Sequence, residues 1–137
     1  MFLAGHHCAQ SVLAAFSVGE GGLPPRLAVR LATALGAGCG RQSLMCGAVT
    51  GALLAIGLRF GEDGTVDPAA REAVYEKTNA FCRRFAERNG TLMCGELLGL
   101  DLATEAGRAE MSEKDWRNLK CARYVRDAGE ILEELGL

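Results

Sequence analysis

Apolar residues recur along this chain at helical spacing, and no segment alternates with the period of two that marks a strand. The first segment, from Phe2 to Ser17, is alanine-rich and carries Cys8, Val12 and Phe16 at four-residue intervals, which predicts a helix with those three facing inward. SVGEGGLPP interrupts it from Ser17 to Pro25, and Pro25 suits the first turn of a second helix reaching Leu35. GAGCGR, Gly36 to Arg41, predicts a turn whose glycines permit sharp bending beside a packed helix. A third helix follows from Leu44 to Leu58. It is apolar almost all round, with Gly47, Gly51 and Ala55 on one stripe. That pattern places it at the centre of a bundle, its small residues letting a neighbour come close.

Beyond the loop GEDGTVD, Pro68 opens a long amphipathic helix through Arg88, with Val74, Thr78, Phe81 and Phe85 on its inner face and Asn89 and Gly90 as its stop. A short helix is expected from Leu92 to Leu98, then an irregular stretch through Met111. Ser112, with Asp115 three residues on, reads as the cap of a last helix burying Cys121, Val125, Ala128 and Leu132. No linker or low-complexity tract divides the chain. The expectation is one all-α domain over residues 1–137, a compact helical bundle of about five to six helices.

Charge narrows the function. Fifteen Lys and Arg against 17 Asp and Glu give a net charge of −2, which lacks the basic footprint of a nucleic-acid binder. No apolar run is long enough to span a bilayer, so the chain is not expected to be a membrane protein. The start, MFLAGHHCAQ, has no Lys or Arg before an apolar stretch and makes a poor secretory signal. A cytoplasmic location is therefore expected, with thiols kept for chemistry rather than structural disulfides.

The six cysteines are Cys8, Cys39, Cys46, Cys82, Cys94 and Cys121. Two of them sit in an internal echo: Ser43-Leu44-Met45-Cys46-Gly47 and Thr91-Leu92-Met93-Cys94-Gly95 share LMCG after a small hydroxyl residue. With Ser43 and Thr91 as N-caps, each cysteine falls at the third helical position, where unpaired N–H groups and the helix dipole favour thiolate. Gly47 and Gly95 leave room beside each sulfur for a partner atom. Cys8 and Cys121 lie instead on apolar helix faces, as less polarised resolving or structural thiols that can meet the other two in the interior. His6 and His7 adjoin Cys8 and are read as exposed, with a role as ligand or thiolate promoter as the alternative. There is no CxxC, so neither thioredoxin-type chemistry nor zinc-ribbon spacing is indicated.

Gly38 to Gly61, GCGRQSLMCGAVTGALLAIGLRFG, closely resembles the signature of the C_GCAxxG_C_C family of redox-active proteins, whose core motif CGAxxG is here Cys46-Gly47-Ala48-Val49-Thr50-Gly51. The family carries four constant cysteines. The resemblance maps them to Cys8 near the start, to Cys46, to Cys94 within GTLMCGELLGLDL (Gly90 to Leu102), and to Cys121 in the last helix. Cys39 stands where the family usually has glycine, and Cys82 lies outside the four. The resemblance implies a redox role and hints at service beside a membrane transport system. The same segment is similar to a part of split-Soret cytochromes c associated with an iron–sulfur centre. The absence of C-x-x-C-H excludes covalent haem.

The reading is thus a thiol–disulfide exchange protein acting through Cys8, Cys46, Cys94 and Cys121, with Cys46 or Cys94 as the attacking thiolate and an unidentified redox partner. Two alternatives stand beside it. In one, the same four cysteines are metal ligands holding an iron–sulfur cluster for electron transfer. In the other, the chain is a helical binding module for a transport partner, and its cysteines only pack.

Overall fold

Gly5, at φ 103°, breaks the chain's first apolar segment in the computed structural model, which describes residues 1–137. A single 3-10 turn, Phe2–Ala4, precedes that glycine, and helix α1 begins only at Cys8 and runs to Phe16. Six further helices follow: α2 Pro25–Ala32, α3 Gly47–Phe60, α4 Pro68–Asn89, α5 Cys94–Leu98, α6 Glu105–Glu113 and α7 Ala122–Glu134. The chain is one all-α domain with no strands.

Seven helices replace the expected five to six, and the reasons are local. The stretch expected to be irregular contains α6, capped by Thr104, whose Oγ1 accepts the Gly107 N–H at 3.0 Å. Ser112 therefore lies inside α6 and caps nothing after it. The last helix is set off instead by Asp115, at φ 52°, and enters through a π-helical turn, Arg117–Cys121, that leads straight into α7. Where caps are strong the sequence reading holds. Asp67 accepts the Ala70 N–H at 3.0 Å, Pro68 follows as the first helical residue, and Gly90 closes α4 at φ 92°.

The core sits around α3, which packs on α1, α4 and α7. Ala9, Ala48, Val49, Ala52, Ala55, Ile56, Phe81, Phe85, Ala128, Ile131 and Leu132 are all 0% exposed. Alanine supplies the α1–α3 contact, and Gly51 takes it to backbone distance: a Cβ there would lie 2.7 Å from the Ala9 carbonyl oxygen. Larger side chains fill the opposite side, where the Phe81 and Phe85 rings stand 6.0 Å apart and Tyr124 tilts against Phe85 at 6.3 Å. A smaller apolar cluster of Cys94, Leu98 and Leu102 lies apart from this core. The seam between the two clusters holds Cys8, Cys46, Cys94 and Cys121.

Gly36 to Ser43 takes an unusual course. Ala37, Gly38, Cys39, Gly40, Arg41 and Ser43 all have φ between 55° and 71°, which makes a left-handed turn closed by Gly40 N–H to the Gly36 carbonyl at 2.8 Å. Four of those six are not glycine, and each such residue costs about 1–2 kcal/mol in this region. The turn expected here is present, but its bending is not left to glycine alone.

The α1–α3 contact sets a stability test. Gly51→Ala should destabilise by about 1–3 kcal/mol, because the backbone of α1 has to move aside. Gly57→Ala, on the same helix with nothing within 4 Å, should stabilise by about 0.5–1 kcal/mol. Urea midpoints of the two variants check the opposite signs.

Candidate functional site

The two LMCG segments meet. Met45 and Met93 form an isolated antiparallel bridge, with Cys46 N–H donating to the Leu92 carbonyl at 2.8 Å and Cys94 N–H donating to the Leu44 carbonyl at 2.6 Å. Each copy thus satisfies the other's backbone. This changes the capping expected from sequence. Ser43 Oγ accepts the Leu102 N–H at 2.8 Å, and Thr91 Oγ1 accepts the Met93 N–H at 3.1 Å, so neither starts a helix with cysteine at its third position. Cys46 is itself the N-cap of α3, and Cys94 is the first residue of α5.

Both bridge segments deliver their sulfurs to one cavity of about 160 Å³. Its walls include Cys8, Cys46, Cys94 and Cys121 together with Phe2, Leu97, Leu98, Leu102, Met111 and Tyr124. The structure therefore gathers all four cysteines read from the sequence. Cys46 and Cys94 are buried, Cys8 and Cys121 partly exposed, and all are free thiols. Gly47 makes the approach of Cys8 possible, since a Cβ at that position would overlap the Cys8 Sγ. Gly95 has a different neighbour: its missing Cβ clears the Ser43 side chain and backbone rather than a sulfur. Cys39 and Cys82 do not line the cavity. Cys82 sits on α4 against the main core, where burial raises its pKa.

Electrostatics reverse the ranking expected from sequence. Cys8, which reads as less polarised, is the first residue of α1 and is held well below the usual thiol range. The neighbouring Cys46 thiol is the largest cause, and the His7 ring and the Ala9 N–H add to the effect against burial. Cys46 is correspondingly raised, by Cys8 and by burial. Cys94 is pushed up to about 12, chiefly by burial, since α5 has only 5 residues and offers little dipole. Cys121 is likewise raised to about 12 by burial, with Arg117 and Lys120 pulling the other way. The lowered thiol of the four is Cys8, whereas Cys46, Cys94 and Cys121 are raised.

His7 is the residue whose role the sequence reading understated. It is the N-cap of α1, its Nδ1 accepting the Gln10 N–H at 3.5 Å while Gln10 Oε1 accepts the His7 N–H at 3.2 Å. Its Nε2 lies 3.1 Å from the Thr33 carbonyl, and its ring also lines the cavity. Gln10 three residues after His7 is a capping-box spacing visible in the sequence, with imidazole in place of the usual hydroxyl. Arg117 was not singled out either. It lines the cavity, donates to the Phe2 and His6 carbonyls, the latter at 2.9 Å, and stands 4.2 Å from the Phe2 ring centre.

No group of three or more His, Cys, Asp or Glu side chains is arranged to hold a metal ion. The four thiols are the right donor type for iron–sulfur chemistry, but they are not arranged around a single ion. No helix is long and apolar enough to cross a membrane.

Four cysteines from both ends and the middle of an all-α chain line one apolar pocket, an arrangement of the kind that cysteine-based redox proteins use. Comparison with known families agrees. The model of the family described as "Putative redox-active protein (C_GCAxxG_C_C)" matches residues 6–135, and the chain belongs to that family. No curated protein and no solved structure matches it.

Two measurements test the electrostatics. Alkylation of the reduced protein with iodoacetamide at neutral pH, read by peptide mass spectrometry, should modify Cys8 first and Cys94 and Cys121 last. Equal rates at all four would show that Cys8 is not activated. The raised thiols also set a pH dependence. The folded chain keeps protons on Cys94 and Cys121 up to about 12, whereas the unfolded chain releases them near 8.5. Stability is then full below that lower value and falls as pH rises towards the upper one. Cys8 has the opposite sign, its contribution being lost as pH falls through its lowered value. Thermal unfolding of reduced protein should show a decline above about pH 9 that is shallower in Cys94→Ala and Cys121→Ala.

Proposed function

We propose that this chain performs dithiol–disulfide exchange, with Cys8 as the attacking thiolate and Cys46 as the resolving thiol. The observation that carries the reading is the meeting of Cys8 and Cys46 at one apolar cavity, where the missing Gly47 side chain leaves room for the Cys8 sulfur at the start of α3, with Cys8 the lowered and Cys46 the raised thiol. Cys8 thiolate attacks one sulfur of a partner disulfide, forming a mixed disulfide and releasing the other half as thiolate. That departing thiolate takes up a proton, and Cys46 loses one. The Cys46 sulfur then attacks the Cys8 sulfur, forming a Cys8–Cys46 disulfide and releasing the second half as thiolate, which takes its proton from water. The protein loses two electrons and the partner gains two, so the exchange balances without a further oxidant. Cys94 and Cys121 stay protonated through these steps and complete the wall.

The arrangement divides labour as such chemistry requires. A low-pKa thiol is available at neutral pH, and its neighbour holds its proton until the mixed disulfide has removed the Cys8 charge. Loss of that charge removes the influence of Cys8 that raises Cys46.

Reaction of reduced protein with bis(2-hydroxyethyl) disulfide, followed by thiol release and intact mass, tests the proposal. Cys8→Ser should slow the reaction by about 100-fold or more, and Cys46→Ser should accumulate the mixed disulfide on Cys8. Unchanged rates in Cys8→Ser would overturn it. So would an oxygen-free preparation that is brown and contains iron and acid-labile sulfide, which would select the cluster. Full oxidation resistance in the wild type would leave the cysteines as packing residues.

A further inference from the structure

A second, larger cleft of about 370 Å³ adjoins the thiol cavity and shares Ala37, Leu102, Met111 and Arg117 with it. Its character is different. Arg41, Arg108 and Arg117 line it against a single carboxylate, Asp115. The Asp115 carboxylate accepts from the Asn118 side-chain amide at 2.9 Å and pairs with none of the three arginines. The ion pairs of the molecule engage Arg71, Arg84, Arg88, Lys114 and Arg126 instead. Arg108 donates through Nη1 to the Leu102 and Ala103 carbonyls, each at 3.1 Å, which orients the guanidinium without neutralising it. Arg41 is exposed, at φ 71° in the left-handed turn, where the backbone carries it to the cleft wall. In a chain of net charge −2, three guanidiniums against one carboxylate at the side of a thiol cavity form a local cationic field.

From this geometry we infer that the cleft binds the carboxylate groups of a small anionic disulfide whose S–S bond enters the neighbouring thiol cavity. The inference rests on the exchange reading and supplies its substrate class. The apolar end suits sulfur and methylene groups, and the guanidinium forks suit carboxylates a few bonds away. The balanced reaction is the one above, two protein thiols becoming one disulfide while the substrate becomes two carboxylate-bearing thiols. A large protein disulfide would not need so confined a charged recess, and a cationic disulfide would be repelled by it.

Three probes of different charge test this: glutathione disulfide, bis(2-hydroxyethyl) disulfide and cystamine, each reacted with reduced protein at low and high salt. Glutathione disulfide should react at least about tenfold faster than cystamine, and added salt should compress that ratio. Arg41→Gln and Arg108→Gln should bring it towards one. Arg26→Gln, at an exposed position of α2 outside the cleft, should leave it unchanged. A ratio near one in the wild type, or one insensitive to Arg41 and Arg108, overturns the inference while exchange through Cys8 still stands. If no disulfide reacts, the exchange reading fails, and calorimetric titration of glutathione disulfide into Cys8→Ser protein decides the cleft separately. Binding weakened at least about fivefold by Arg41→Gln supports it, and no binding overturns it.

Discussion

The close approach of α1 to α3 governs everything else in this molecule. Gly51 lets the two helices meet backbone to backbone at Ala9, and Gly47, one turn earlier, leaves the gap that the Cys8 sulfur fills. Fixing those two helices therefore also fixes Cys8 against Cys46. The spacing within CGAxxG follows from this. Its first residue supplies a thiol at the mouth of α3, its second makes room for the partner thiol, and its last holds the pair of helices at contact distance. A fold built on larger interface residues would separate the two sulfurs, and the mutual influence that splits their acidities would be lost.

The second determinant is the reciprocal bridge between Met45 and Met93. Four residues repeated in two places have no reason to adjoin unless the backbone joins them. Here the amide hydrogens of Cys46 and Cys94 are used to do so. The bridge brings the Cys46 and Cys94 sulfurs to one cavity; at Cys46 the Ala48 N–H still favours thiolate, but the neighbouring Cys8 and burial outweigh it. The lowered thiol is Cys8, at the start of the nine-residue α1, with His7 and Cys46 beside it.

Legibility in the sequence tracks the strength of local signals. Helix α4, with Asp67 and Pro68 at one end and Gly90 at the other, is readable to within a residue. The central place of α3 follows from its nearly continuous apolar surface. The four cysteines can be chosen by resemblance, and their convergence follows from inward faces. What does not show is set by single backbone angles. Gly5 turns left-handed and moves Cys8 from mid-helix to a helix start, and Asp115 does the same and shifts the origin of the last helix. Helix α6 hides because Gly107 and a charged surface obscure its period. The acidity order is illegible for another reason: burial and sulfur–sulfur contact are tertiary, and they outweigh the caps that local spacing suggests.

Cys8 and Cys46 are 38 positions apart, and each marks the entrance of a helix. A covalent link between them would staple the two entrances and close a ring containing α2 and the left-handed turn. In the chain-entropy picture a ring of that size lowers the freedom of the unfolded polypeptide by about 4 kcal/mol. Electron loss would thus harden the molecule against heat and proteases, and regaining electrons would loosen it, so that its oxidation state would govern its lifetime as well as its chemistry.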